Sequence, residues 1–388
     1  MDESGVARAT EDIAAAWLRE GRRFVQALLV EVEGSAPLPE GAMMLVGDSG
    51  EIEGSITGGC VEGALVAEAE RILAGERGAG IETYGISDEL AGTVGLMCGG
   101  IVHIFLQELS GARDPAGAAE LAALRAHLDG RPAAVATLLE GERAGGRLAV
   151  VDGEPVGSLG PLPLLDRNVA REAAGLMEEG KTTIRRYGVD GATLGDELPV
   201  HVRAYAPPPQ MVIFGAIDFS AALAAFASRI GYRVAICDAR DRFARSGRFS
   251  ADAEVRIGWP QELIDGFELG PRDAVLVFTH DPKFDEPALI GALGTGAGYI
   301  GALGSRTTTA DRERRLRDAG VSDADLARVH APCGLDIGSR TAEETAISVL
   351  AEIIAVRRRG PALDARPLRA TSGPIHGRDQ DRSASAVR

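Results

Sequence analysis

Residues 210–238 read Q-M-V-I-F-G-A-I-D-F-S-A-A-L-A-A-F-A-S-R-I-G-Y-R-V-A-I-C-D, and their pattern decides the fold of the C-terminal half. Met211 to Phe214 is a short unbroken apolar run, the mark of a strand covered on both faces. Gly215 interrupts it, and an Ala-rich stretch with apolar residues at helical spacing continues to Ile230. Gly231 closes that helix, since glycine reaches positive φ at no steric cost. A second apolar run, Val234 to Cys237, finishes on Asp238. Strand, tight turn, helix, strand and a closing acid make the outline of a dinucleotide-binding βαβ unit.

The phosphate turn itself departs from G-x-G-x-x-G/A. Its second glycine position holds Ile217 and its third holds Ser220. The second glycine lets the backbone approach a pyrophosphate, and a β-branched side chain puts bulk there instead. Asp218 suits the helix dipole but repels phosphate. NAD(P) binding is therefore disfavoured while the fold stands.

Working outward, strands are expected at Glu254–Ile257, Ala274–Phe278 and Gly298–Ala302, alternating with helical segments. Such alternation gives a C-terminal Rossmann-like, doubly wound parallel sheet over residues 210–358. Ligands of such sheets bind at the carboxyl ends of the strands. Asp238, His280, Asp281, Gly304, Ser305 and Arg306 all fall there. Upstream, Pro207-Pro208-Pro209 is a stiff linker. Residues 1–108 read as a small α/β domain: a helix to Glu20 closed by Gly21, a strand over Phe24–Val32, a hairpin near Asp48-Ser49-Gly50, then a Gly-Gly turn opening a helix. Residues 109–206 continue that domain, with helices near Ala116–His127 and Val169–Glu179 and strands near Ala133–Leu139 and Leu148–Val151. Residues 361–388, rich in Arg, Asp, Ser and Gly, are expected to be disordered. No internal repeat is evident.

Composition limits the partners. The net charge of −16 over 388 residues excludes a general nucleic-acid or acidic-membrane binder. No apolar run approaches the ~18 residues of a membrane span, and the start lacks a leader's basic and apolar regions, so a cytoplasmic location is expected. The four cysteines show no C-x-x-C spacing and read as thiols, not as a disulfide framework.

Two of those cysteines stand beside paired glycines. Cys60, in T-G-G-C-V-E-G, is expected in the first turn of a helix, where free N–H groups and the dipole favour thiolate. Thiolate is a nucleophile, a soft metal ligand and a carrier of sulfur. Packing as a small apolar residue beneath a glycine-rich turn is the alternative. Cys98, in M-C-G-G, again has glycines, Gly99 among them, that leave N–H groups open to an anion. Cys237 and Cys333 read as core. His280 and Asp281 could handle a proton or cap a helix, and Gly304-Ser305-Arg306 could clamp a phosphate or form a plain strand-to-helix turn. Patterns for zinc proteases, serine hydrolases and P-loop enzymes are absent.

G-S-A-P-L-P-E-G-A-M-M-L-V (34–46), G-S-I-T-G-G-C-V-E-G (54–63), C-G-G (98–100), T-H-D-P-K-F-D (279–285), G-A-L-G-S-R (301–306) and H-A-P-C-G-L-D-I-G-S-R-T (330–341) together resemble the XdhC/CoxI family of maturation factors for molybdenum-containing hydroxylases. The chain departs from that family at Gly215-Ala216-Ile217-Asp218, where relatives commonly show G-A-G-H. The resemblance implies a dimeric cytoplasmic accessory protein of xanthine dehydrogenase-type enzymes, a chaperone more than a catalyst. It would bind the molybdenum cofactor, support its sulfuration and insert it into an apo-molybdenum hydroxylase, with a cysteine desulfurase as a second partner. Cys60 and Cys98 carry over as candidate ligands of the cofactor's molybdenum, with Gly59 and Gly99 beside them. The strand-end residues would receive the pterin phosphate or its nucleotide extension. An NAD(P)-dependent oxidoreductase and a non-catalytic docking scaffold are the alternatives.

Overall fold

The computed structural model describes residues 9–85, 100–111, 113–245, 247–249 and 253–360. The chain divides into two compact units between Pro207 and Pro208. The expected disorder of 361–388 falls outside the described residues.

The first unit runs α1 (Thr10–Glu20), β1 (Phe24–Glu33), β2 (Met43–Gly47), β3 (Ile52–Gly54), α2 (Glu62–Leu73), β4 (Gly80–Tyr84), β5 (Ile101–Leu109), and then α3 (Pro115–Leu128), β6 (Ala133–Leu138), β7 (Arg147–Val151), β8 (Glu154–Ser158), α4 (Pro163–Glu179), β9 (Thr183–Tyr187), β10 (Leu198–Tyr205). The second series repeats the first. One antiparallel sheet has the order β3-β2-β1-β5-β4, and the other β8-β7-β6-β10-β9. The register agrees to the residue: Gly54 pairs with Met44 as Gly157 pairs with Leu148. Both glycines have positive φ, 79° and 90°, and a Cβ on either would lie 2.5 Å from a backbone carbonyl oxygen of the neighbouring strand. The sequence thus conceals a duplication.

Burial follows from this layering. Phe24, Leu28, Met43, Leu45 and Phe105 of the first sheet face one core with α1, α3 and the inner residues of the second sheet. Val25, Ala27, Leu29, Met44 and Ile104 face the opposite way, onto α2. In the same manner α4 covers the outer face of the second sheet. Strands buried on both faces lose the polar alternation that marks half-exposed ones.

The second unit has β11 (Gln210–Phe214), α5 (Asp218–Arg229), β12 (Arg233–Asp238), α6 (Asp241–Ala244), β13 (Ala253–Ile257), α7 (Pro260–Leu263), β14 (Ala274–Val277), α8 (Pro282–Leu293), β15 (Tyr299–Ala302), α9 (Arg306–Asp318), α10 (Asp323–Leu326), β16 (Val329–His330) and α11 (Ala342–Arg359). All six strands are parallel, ordered β13-β12-β11-β14-β15-β16. That is the Rossmann order, with its switch point between β11 and β14.

Candidate functional site

Cys60 lies ahead of a helix, not within it. The sequence reading put it in the first turn, but α2 starts two residues later, at Glu62. The reason is the Glu62 carboxylate, which folds back into the preceding loop. Its Oε1 accepts from Ser55 Oγ (2.8 Å), Ile56 N (3.1 Å), Thr57 N (2.8 Å) and Gly58 N (3.0 Å). Its Oε2 accepts from Thr57 Oγ1 (2.8 Å), Gly59 N (2.9 Å) and Val61 N (3.2 Å). The loop is a nest of N–H groups wound round an internal anion. Gly58 and Gly59, with φ of 75° and 121°, permit the winding. Burial pushes the Glu62 carboxyl up, but the Thr57 N–H and the Ser55 and Thr57 hydroxyls outweigh it and hold the group at about 2. The N–H of Gly59, the candidate cofactor-binding glycine beside Cys60, is therefore already committed within the loop. Cys60 is half-buried against the α2 core.

Cys98 and Gly99 lie outside the described residues. Gly100, the last residue of their block, packs against the loop after β1, where a Cβ would come 2.2 Å from Ser35 O.

At the carboxyl edge of the parallel sheet, the acid that ends β12 points inward. Asp238 Oδ2 accepts the Ala216 N–H at 2.7 Å, and Arg240 grips the same carboxylate through Nε (2.9 Å) and Nη2 (2.7 Å). Burial opposes ionisation of Asp238, yet Arg240 and the Ala216 N–H hold it below its ordinary range. In a dinucleotide site this acid would bind ribose. Here it and the turn amide satisfy each other, with Ile217 at the N-cap position of α5, where its side chain makes no cap, and Asp218 paired to Arg248 at 2.8 Å.

The T-H-D-P-K-F-D block divides in two. Thr279 and Asp285 turn inward: the Thr279 hydroxyl donates to Asp285, and Arg312 reaches the same carboxylate at 2.9 Å while holding Leu303 O, also at 2.9 Å. His280 and Asp281 turn outward, and Asp281 caps α8 by accepting from Lys283 N at 3.2 Å. Gly304 (φ 154°) leads into α9, Ser305 Oγ caps it through Thr308 N at 3.1 Å, and Arg306 is exposed in its first turn. The structure thus gathers Asp238, His280, Asp281 and Gly304–Arg306 along one sheet edge, while Cys60 belongs to the other unit.

Sequence reasoning missed two clusters. At the edge, the Arg240 guanidinium lies 4.2 Å over the Phe243 ring, and Trp259 packs at a tilt against Phe284 with ring centres 4.9 Å apart. Beneath, Glu352 of α11 accepts from Tyr299 Oη and Gly334 N, both at 2.6 Å, and pairs with His330 at 3.3 Å. Neither cluster has a spacing signal, since each joins residues from segments far apart in the chain. Cys237 and Cys333 are core, and burial pushes both thiols up to about 12. Among the described residues no group of three His, Cys, Asp or Glu side chains is arranged to hold a metal ion, and no helix is long and apolar enough to cross a membrane.

Residues 17–85 match the profile of the XdhC and CoxI family, and residues 211–353 match that of the XdhC Rossmann domain. The chain belongs to the XdhC/CoxI family. Among its XdhC/CoxI relatives, a "Probable xanthine dehydrogenase" subunit from Bacillus subtilis is 27% identical over 89% of this chain and 96% of that protein. The "Molybdenum cofactor insertion chaperone PaoD" of Escherichia coli is also 27% identical, over 88% of this chain and 85% of its own length. A Bacillus halodurans crystal structure, described as a xanthine dehydrogenase, superposes with a TM-score of 0.66 at 24% identity, covering 92% of this chain and 98% of that one, which shows a shared fold.

Proposed function

We propose that this XdhC/CoxI chain is an accessory protein that binds the molybdenum cofactor, supports its sulfuration and inserts it into an apo-enzyme of the xanthine dehydrogenase kind. One observation carries the reading: a half-exposed thiol, Cys60, on a glycine loop made rigid by its own carboxylate. A thiolate is a soft ligand suited to molybdenum, and a single such ligand permits the reversible binding that delivery needs. The cofactor would supply the redox-active metal and its sulfido group to the client. This chain would supply the Cys60 thiol; Arg306 and His280, on the sheet edge of the other unit, are candidate contacts for a phosphate in their own right. An apo-molybdenum hydroxylase, a cysteine desulfurase and a second copy of the chain are the proposed partners, and the cytoplasm the proposed location. The names of the relatives support this assignment.

The oxidoreductase alternative loses support from the geometry. A pyrophosphate would need the Ala216 N–H that Asp238 holds, and would meet Ile217. The test is mass analysis of small molecules released by heating fresh protein. A pterin should be found, and Cys60→Ala should lose it; a variant that keeps its full pterin complement removes Cys60 from the site.

A further inference from the structure

The two halves of the first unit contain one device twice, and only one copy is elaborated. In each, a glycine at positive φ stands at or next to the end of the third strand, a serine follows it, and a buried aliphatic comes next. A carboxylate from the following helix then reaches back to both. In the second half Ser158 Oγ and Leu159 N donate to Asp166, at 2.7 and 2.9 Å. In the first half Ser55 Oγ and Ile56 N donate to Glu62 at 2.8 and 3.1 Å. These two bonds tie strand to helix, and the second half needs no more than that.

Beyond them the halves diverge. Residues 160–163 are Gly-Pro-Leu-Pro, in which both prolines lack an N–H. The first half has Thr-Gly-Gly-Cys-Val at 57–61, and adds the N–H groups of Thr57, Gly58, Gly59 and Val61 and the Thr57 hydroxyl to the same carboxylate. Every added donor belongs to the segment that carries the thiol. Bonds superfluous to the tie fix the backbone on both sides of Cys60.

We infer that Glu62 is a positioning residue, whose carboxylate holds loop 57–61 so that the Cys60 thiol is presented in one orientation. Asp166 performs only the structural tie, in a half without a thiol. The purpose of the presentation rests on the reading of Cys60 as the cofactor thiol; its geometry does not.

The duplication supplies the control. Full-length protein is labelled with iodoacetamide under native conditions, and each cysteine is followed separately by peptide mass. Glu62→Gln keeps the side chain's shape but turns an amide N–H₂ toward N–H and O–H donors, so the loop opens more readily. The Cys60 labelling rate should rise about tenfold. Glu62→Asp, which keeps the charge one methylene short, should raise it by about threefold. Asp166→Asn, which breaks the equivalent tie, should leave Cys60 within about twofold of the parent. A Glu62→Gln rate within about twofold of the parent, or an equal rise in Asp166→Asn, overturns the inference. If Glu62→Gln does not fold, Glu62→Asp decides on the same terms. Pterin content of the same preparations separates the two readings: full pterin in Cys60→Ala removes the cofactor role of the thiol, while the labelling rates still judge Glu62.

Discussion

Replacing Glu120 with leucine should unfold the first unit more readily than any surface change. Glu120 is fully buried between the two sheets, where its carboxylate meets Arg147 Nη1 at 2.5 Å, Gln26 Nε2 at 3.0 Å and the Arg203 guanidinium. Burial alone would push its carboxyl up, but Arg203 and Arg147 hold it at about 2, against 4.5 for an ordinary glutamate. That difference corresponds to about 3 kcal/mol of stability at neutral pH. Removing the acid also leaves two arginines buried without their anion, a loss of about 3–5 kcal/mol. The two figures describe one interaction and are not summed. A loss of about 4 kcal/mol in a unit of this size lowers Tm by roughly 8–16 °C. Trp17, buried in the same core, reports this unit alone once Trp259→Phe has removed the other tryptophan. Urea and thermal unfolding followed by its fluorescence give the number. The sign with pH follows from a depressed folded-state pKa: the contribution is complete above about 4.5 and fades as pH falls toward 2. A change under about 1 kcal/mol at pH 7 would refute the reasoning, as the arginines must then have found other partners.

Other expectations follow from the same geometry. Asp285→Leu should cost the second unit about 3–5 kcal/mol, read from Trp259 fluorescence in a Trp17→Phe background, because Arg312 is buried with it. Gly54→Ala and Gly157→Ala should destabilise alike, by about 1–3 kcal/mol, since each meets a carbonyl oxygen at the same point of the repeat; unequal melts would deny the equivalence. Ile217→Gly alone should not create NAD(H) binding, because Asp238 still holds the Ala216 N–H; saturable quenching of Trp259 at micromolar NADH would contradict this. Cys237 and Cys333 should stay unlabelled by iodoacetamide at pH 8 in folded protein, as their thiols ionise only near 12.

The Rossmann unit was legible because its apolar runs and glycines are read locally: β11, α5 and β12 fall where the pattern of residues 210–238 puts them. Its site was less so. Whether Asp238 faces out to a ribose or in to Ala216 depends on Arg240, and nothing in the spacing records that choice. The start of α2 was misplaced for a related reason. Gly-Gly signals a turn, but only the fold-back of Glu62 shows that the turn consumes the N–H groups a first-turn cysteine would have used. Strands β8 and β10 hid behind Pro155 and Pro199, which argue against a strand unless they sit at an edge or near a strand start, as both do.

The duplication was invisible for a deeper reason. Register makes Met43 equivalent to Arg147, since Met44 and Leu148 face the matching glycines, and makes Gln107 equivalent to Arg203 through their partners Gln26 and Val135. Across the buried middle layer Arg147 Nε donates to Gln107 at 3.0 Å, and Arg203 Nη1 lies 3.7 Å from Met43 Sδ. Position i of one half thus meets position j of the other, and j meets i, as in a two-fold interface between identical protomers. Identical residues there would place arginine against arginine, or amide against thioether. A self-facing interface folded into one chain is free to lose that identity, and the inner faces have done so, with cations on one half and neutral acceptors on the other. Conserved geometry with diverged chemistry leaves a repeat in the hydrogen-bond register and none in the letters. The two loops have diverged in the same way: residues 57–61 give Glu62 the N–H groups on both sides of Cys60, while the second half keeps only the bonds that hold its helix.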